Sequence, residues 1–216
     1  SCSHSGTGHA ALPDPRAVDK SVPEYKNPFH PSTYAHFVAR KDYRKTYDVY
    51  KDDTLLNRQP KKSRKIFVCL DEQRGQYLVD GLVAMDFPLS SGVKAYPTKT
   101  GDYAVISKKE DHTSNLYGKM YDAEGKCINY NAESTDPVPE GGRFDGSPMP
   151  YWQRLTNAGL GLHVGKVRRH PVSHGCVRLP RNVAEILYRQ TSIGTPVTIR
   201  KTPLPVPEAQ KVPAVQ

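Results

Sequence analysis

The sequence predicts a mainly β domain with a few short helices and flexible N- and C-terminal tails. Three observations carry that expectation: short apolar runs separated by turn dipeptides, a single stretch of helical spacing in the second half, and prolines gathered toward the two ends and the loops. At 216 residues the chain suffices for one domain with a proper core plus its ends.

Residues 1–31 are rich in Ser, Gly, His and Pro, lack apolar periodicity and end in Asn27-Pro28 and His30-Pro31, so they read as a flexible linker. Residues 32–64 form an N-terminal extension in which Tyr34, Phe37, Val38, Tyr47, Val49, Leu55 and Leu56 suggest one or two short helices on the edge of the domain. The catalytic domain is expected over 65–201. It opens as a meander: apolar runs at 66–70, 76–79 and 82–87, the last two joined by Asp80-Gly81. Asp-Gly between apolar runs is the strongest short hairpin signal, because a type I′ turn needs positive φ at both central residues. Further strands are expected at 102–107, 126–130, 160–164 and 196–200. One helix is convincing, with Asn182 as its cap, Val183, Ile186 and Leu187 at i, i+3, i+4, and Gly194 ahead of the last strand. Residues 108–150 make a polar segment too long for an idle connection, read as a lid or substrate wall. Residues 202–216, with Pro203, Pro205, Pro207 and Pro213, read as a disordered tail.

The formal charge of +9 favours an anionic partner such as nucleic acid, a membrane surface or an acidic wall polymer. The basic residues are scattered and carry no nucleic-acid-binding signature, so no nucleic-acid partner is expected. Cys2, Cys69, Cys127 and Cys176 form no CxxC pair, which argues against a thiolate zinc site or a disulfide framework. No apolar run approaches the roughly 20 residues that span a bilayer, and no signal peptide is present. The Ser1-Cys2 start leaves Cys2 as a possible lipidation site and membrane tether, with an arbitrary chain start as the other reading.

The chemistry concentrates in Leu160-Gly161-Leu162-His163-Val164-Gly165 and Pro171-Val172-Ser173-His174-Gly175-Cys176-Val177-Arg178-Leu179-Pro180. A thiol ordinarily titrates near 8.5, so a nucleophilic cysteine needs a histidine or an electropositive surround. His163 ends an apolar strand that would hold its ring, while the Ser-His-Gly-Cys loop would deliver the thiol from across the site. Amides of Gly175 and Cys176 in a tight loop could stabilise an oxyanion. A lone cysteine or a strand-end histidine is also ordinary core material. Two histidines and a thiolate, completed by Asp145, make zinc binding a lesser alternative.

Ser173-His174-Gly175-Cys176-Val177-Arg178 after Gly-x-His163 resembles the signature of the L,D-transpeptidase catalytic domain, also called YkuD. Pro88-Leu89-Ser90-Ser91-Gly92, Tyr96-Pro97-Thr98-Lys99-Thr100-Gly101-Asp102-Tyr103, Met149-Pro150-Tyr151-Trp152-Gln153-Arg154-Leu155 and Gly194-Thr195-Pro196-Val197-Thr198-Ile199 resemble further segments of that family, in its order. Two features depart from the pattern: a short His163-to-Ser173 spacing, similar to that of a short-loop subgroup, and Lys99 inserted in the "TPTG" turn.

The resemblance implies a β-sandwich or barrel and a two-step acyl transfer without cofactor or metal. Cys176 would attack the third residue of a peptidoglycan stem, release D-alanine, and pass the thioester to an amine of another stem or of a wall-anchored lipoprotein. Carried over by position, His163 is the base and the Val164 carbonyl holds its ring. His174, Gly175 and Ser173 shape the catalytic loop, Arg178 pairs with a carboxylate or braces the motif, and Met149, Tyr151 and Trp152 wall the donor site. A monomer in the extracytoplasmic envelope, or periplasm, is implied. A hydrolase using water, an inactive wall-binding module and the zinc hydrolase remain as alternatives.

Overall fold

The computed structural model describes residues 10–215, so Cys2 lies outside the described residues. Two short helices precede the sheets: α1 (Tyr34–Val38), whose first turn is capped by the Thr33 side chain, and α2 (Asp53–Leu56), capped by Asp52. Strand β1 (Tyr50–Lys51) lies between them. The meander follows as β2 (Arg64–Cys69), β3 (Arg74–Val79) and β4 (Leu82–Pro88). Asp80 and Gly81 take φ of 51° and 80°, the two left-handed residues that a type I′ hairpin requires. Then come β5 (Gly101–Ala104), β6 (Ser107–Lys109), β7 (Thr113–Tyr121), β8 (Cys127–Glu133) and β9 (Arg143–Pro148). The chain closes with β10 (Trp152–Arg154), β11 (Gly161–Val164), β12 (Val177–Leu179), α3 (Arg181–Gln190) and β13 (Pro196–Arg200). None of the described helices is long and apolar enough to cross a membrane.

The strands form three sheets: a six-stranded one in the order β1-β4-β3-β2-β13-β5, a four-stranded one in the order β12-β11-β10-β6, and a three-stranded one in the order β8-β7-β9. The expectation of a mainly β fold with few helices is met. The main core is shared by the first two sheets and α3, where Ile66, Phe87, Leu162, Val177, Leu187 and Ile199 belong to one cluster. Full burial of each such side chain is worth about 1.5–3 kcal/mol. Helix α3 turns Val183, Ala184 and Leu187 inward, but it starts one residue before Asn182 and its cap position is Pro180, without a side-chain cap. The chain passes from β12 straight into the helix through that proline, leaving Asn182 inside the first turn.

Both ends are packed where they are described, unlike the expected linker and tail. Phe29, Tyr34, Phe37, Tyr43 and Val206 form a second apolar cluster with Val83 and Leu78 of the first sheet. The β3–β4 register shifts at Tyr77/Leu78, so Ala84 and Met85 both serve the main core while Val83 faces the second cluster. The Gln210 side chain takes the place of a neighbouring strand: its Oε1 accepts from Val83 N at 2.8 Å and its Nε2 donates to Val83 O at 2.9 Å. His30 N donates to Val212 O and Ala214 N to Pro28 O. Proline removes donors from such segments and leaves their carbonyls as acceptors, so side chains can dock them without any periodic pattern.

The 108–150 segment, read as a lid or wall, is mostly the antiparallel β7–β9 sheet, with register shifts in both of its pairings.

Candidate active site

The register of the four-stranded sheet assembles the site. Strand β11 pairs in parallel with β12, matching Leu162 to Val177 and His163 to Arg178, and antiparallel with β10, matching Gln153 to Leu162 and Arg154 to Gly161. Residues that face one another across adjacent strands point to the same side, and neighbours along a strand alternate. Gln153, Leu162 and Val177 therefore point into the core, where all three are buried. The other face carries Trp152, His163 and Arg178 in one row, and Arg154, Gly161 and the residue before β12, Cys176, in the next. Gly161 is needed because a Cβ there would lie 2.4 Å from the Trp152 ring.

These side chains open onto a cleft of about 810 Å³ that also takes in Met149, Ser173, His174 and Gly175. Tyr151 is absent from its lining. Its φ of 54° turns the ring away, and it packs edge-on against Tyr188 of α3 with centroids 5.5 Å apart. Trp152, the next residue, faces the cleft and stacks on His112 at 5.0 Å.

His163 is 7% exposed and its Nδ1 lies 2.7 Å from the Val164 carbonyl. A carbonyl only accepts, so Nδ1 carries the proton and Nε2 keeps its lone pair for use as a base. Burial drives the imidazole down to about 4, opposed by the Val164 hydrogen bond and helped by Arg178 and His112, so at neutral pH the ring is uncharged. Burial pushes the Cys176 thiol up, against a backbone hydrogen bond from Gly161 and the positive charges of Arg178 and Arg154. The Sγ donates to Gly159 O at 3.2 Å, so the β10–β11 turn grips the thiol from both sides. The Arg178 backbone pairs with Ser90, whereas its guanidinium makes no hydrogen bond or ion pair among the described residues; burial lowers its pKa while Cys176 raises it.

The loop before Cys176 is held by hydroxyls. Thr98 Oγ1 donates to Gly175 O at 2.6 Å and accepts from Gly92 N at 2.8 Å. Ser173 Oγ donates to Cys176 O and accepts from Gly175 N at 3.1 Å. The Gly175 amide is thus occupied and is not the free oxyanion donor expected; the Cys176 amide has no acceptor among the described residues. A Cβ on Gly92 would fall 2.8 Å from Gly175 Cα, so the loop rests directly on this backbone. His174 is exposed and stacks on Tyr117 of β7, centroids 4.2 Å apart and planes 9° apart, with Tyr96 at 5.0 Å. The sheet β7–β9 is thereby pinned to the Ser173–Cys176 loop. Asp145 pairs with Arg143 at 3.1 Å, and among the described residues no three His, Cys, Asp or Glu side chains group as metal ligands.

Sequence reading missed Arg154, His112, Thr98 and Tyr117. Arg154 and Thr98 had a signal, since both lie inside segments that resemble the family and Arg154 is two residues past Trp152 on the same strand face; His112 and Tyr117 come to the site only through tertiary packing.

A family model described as the L,D-transpeptidase catalytic domain, YkuD, matches residues 63–199. The chain is 31% identical over 121 residues to "Probable L,D-transpeptidase 3" of Mycobacterium tuberculosis, covering 53% of this chain and 38% of that protein. The chain therefore spans well under half the length of this relative. Similar solved structures include L,D-transpeptidase 3 of M. tuberculosis (23% identity, 64% of this chain and 61% of that one, TM-score 0.49). The L,D-transpeptidase of Mycobacterium smegmatis is 22% identical over 64% of this chain and 58% of that one, with a TM-score of 0.49. A C442S mutant from Enterococcus faecium is 27% identical over 64% and 50%, with a TM-score of 0.46. The family match covers more than half of the sequence, around the strands that carry His163 and Cys176, and the chain belongs to the L,D-transpeptidase catalytic domain family.

Proposed function

We propose that the chain is a cysteine acyltransferase acting on peptidoglycan stem peptides in the extracytoplasmic envelope. The observation that carries this reading is the placement of Cys176, one residue before β12, on the same cleft as His163 of the neighbouring β11, with the imidazole tautomer fixed by Val164. His163 Nε2 takes the thiol proton as Sγ attacks the carbonyl of the third stem residue. The oxyanion forms beside the Cys176 amide, and collapse breaks the peptide bond. The imidazolium proton goes to the departing D-alanine amine, leaving a thioester. An amine from a second stem, or a lysine of a wall-anchored lipoprotein, then attacks; His163 takes its proton and returns it to sulfur. No cofactor or metal takes part in these steps. Arg178 and Arg154, with no acid among the residues lining the cleft, favour a substrate that brings its own carboxylates.

Incubation with disaccharide-tetrapeptides, followed by mass spectrometry, tests this. Dimers that have lost one D-alanine per link, absent with Cys176→Ala, are expected. Tripeptides alone would replace transfer by hydrolysis, and intact substrate in both samples would sink the reading.

A further inference from the structure

Nine residues separate His163 from Ser173, and one of them reaches far from the site. Arg169 adopts φ of 60°, in the left-handed region that costs a non-glycine residue about 1 kcal/mol or more. Its guanidinium donates to three main-chain carbonyls: Thr46 O, Arg44 O at 2.9 Å and Glu72 O at 2.8 Å. Thr46 O also accepts from Arg74 at 3.0 Å, and Arg74 donates to Asp48 O at 2.7 Å. Arg74 is itself fully buried against Asp86. Tyr34 and Tyr43, from the N-terminal extension, donate to the same Asp86 at 2.7 and 2.9 Å.

A second arm runs from the neighbouring turn. Gln73, φ 48°, accepts from Ser91 N at 3.0 Å and donates to Ser91 Oγ at 2.8 Å. Ser91 O in turn accepts the amides of Val172 and Ser173, at 2.8 and 3.1 Å. Two left-handed non-glycine residues thus hold the two flanks of one loop, and each is fixed by the hydrogen bonds of its own side chain. Such strain persists only where the surroundings over-determine it, and it gathers where position matters.

We propose that Arg169 is a positioning residue, which ties the loop bearing Ser173–Cys176 to the Arg44–Thr46 segment and the Glu72 turn and so sets Cys176 against His163. The N-terminal extension is then part of the catalytic machinery. The role rests on the proposed cysteine acyl transfer, and its test has one arm that needs no peptide substrate.

Arg169→Gln and Arg169→Lys are compared with the unaltered chain for dimer formation, for Cys176 alkylation by iodoacetamide across pH, and for melting temperature. Glutamine cannot span three carbonyls, and lysine keeps the charge and reaches fewer of them. The expected result is a kcat about ten- to a hundredfold lower for Arg169→Gln with KM within about twofold, and an intermediate kcat for Arg169→Lys. Alkylation at pH 7 should become at least about threefold faster as the burial that raises the thiol relaxes. A lower melting temperature with unchanged kcat and an unchanged alkylation profile, both assayed well below melting, would overturn the role. If the unaltered chain turns over no stem peptide, acyl transfer fails while alkylation still decides positioning. If Arg169→Gln does not fold, Arg169→Lys decides by the same readouts.

Discussion

His163 and Cys176 are both neutral at pH 7, because burial acts on each: it lowers His163 to about 4 and raises the Cys176 thiol. Below its pKa a thiol gains about tenfold in thiolate per pH unit, so iodoacetamide should modify Cys176 progressively faster from pH 6 to 8.5. A plateau already at pH 7 would instead mean a preformed thiolate–imidazolium pair. The same burial acts on stability with a definite sign. An unfolded His163 takes up a proton near 6.5 and the folded one only near 4, so its contribution is complete above 6.5 and is lost as pH falls toward 4. Cys176 and His163 stood out in the sequence chiefly because their two motifs resemble those of the family, since a lone cysteine and a strand-end histidine are each ordinary core material. Of Tyr151 and Trp152, expected together as the wall, only Trp152 lines the cleft; the left-handed φ that turns the Tyr151 ring away leaves no signal in the sequence.

Among the elements, the meander was the most legible, since a type I′ turn with apolar flanks leaves few other options. Of the β7–β9 sheet only β8 is expected from sequence, as a strand at 126–130; much of the sheet is exposed and its register is interrupted, so alternation never becomes a clean signal. Strands β10 and β11 are short, yet they fix the geometry through Gly161. Gly161→Ala would press a methyl against the Trp152 ring and within 2.6 Å of Gln153 O. Overpacking of this kind costs about 1–3 kcal/mol, so a lower melting temperature is expected. Dimer formation should fall with it, since the displaced Trp152 borders the cleft. A variant that melts and turns over like the unaltered chain would show that the row of side chains tolerates a wider strand spacing.

For the whole molecule, the ends matter more than their composition suggested. Proline-rich segments give no periodicity, and they dock through isolated residues such as Phe29, Val206 and Gln210. Gln210→Ala removes both partners of the Val83 backbone, and unpaired buried groups cost about 1–3 kcal/mol. Urea denaturation should show an earlier midpoint, and limited proteolysis should release the tail; an unchanged midpoint would mean that the tail contributes nothing to folding.

The bridge between Pro28 and Ala214 has a mechanical consequence. Because residues 28–30 pair with 212–214, tension applied between those two segments loads that small pairing before any strand of the main sheets. The first parts to peel away would be the outer segments, and with them the Thr46 carbonyl that receives Arg169. Under such a pull the loop that carries Cys176 would slacken while the core was still intact, so a molecule held at these two segments would report strain first at Cys176, as a change in its alkylation, rather than as unfolding.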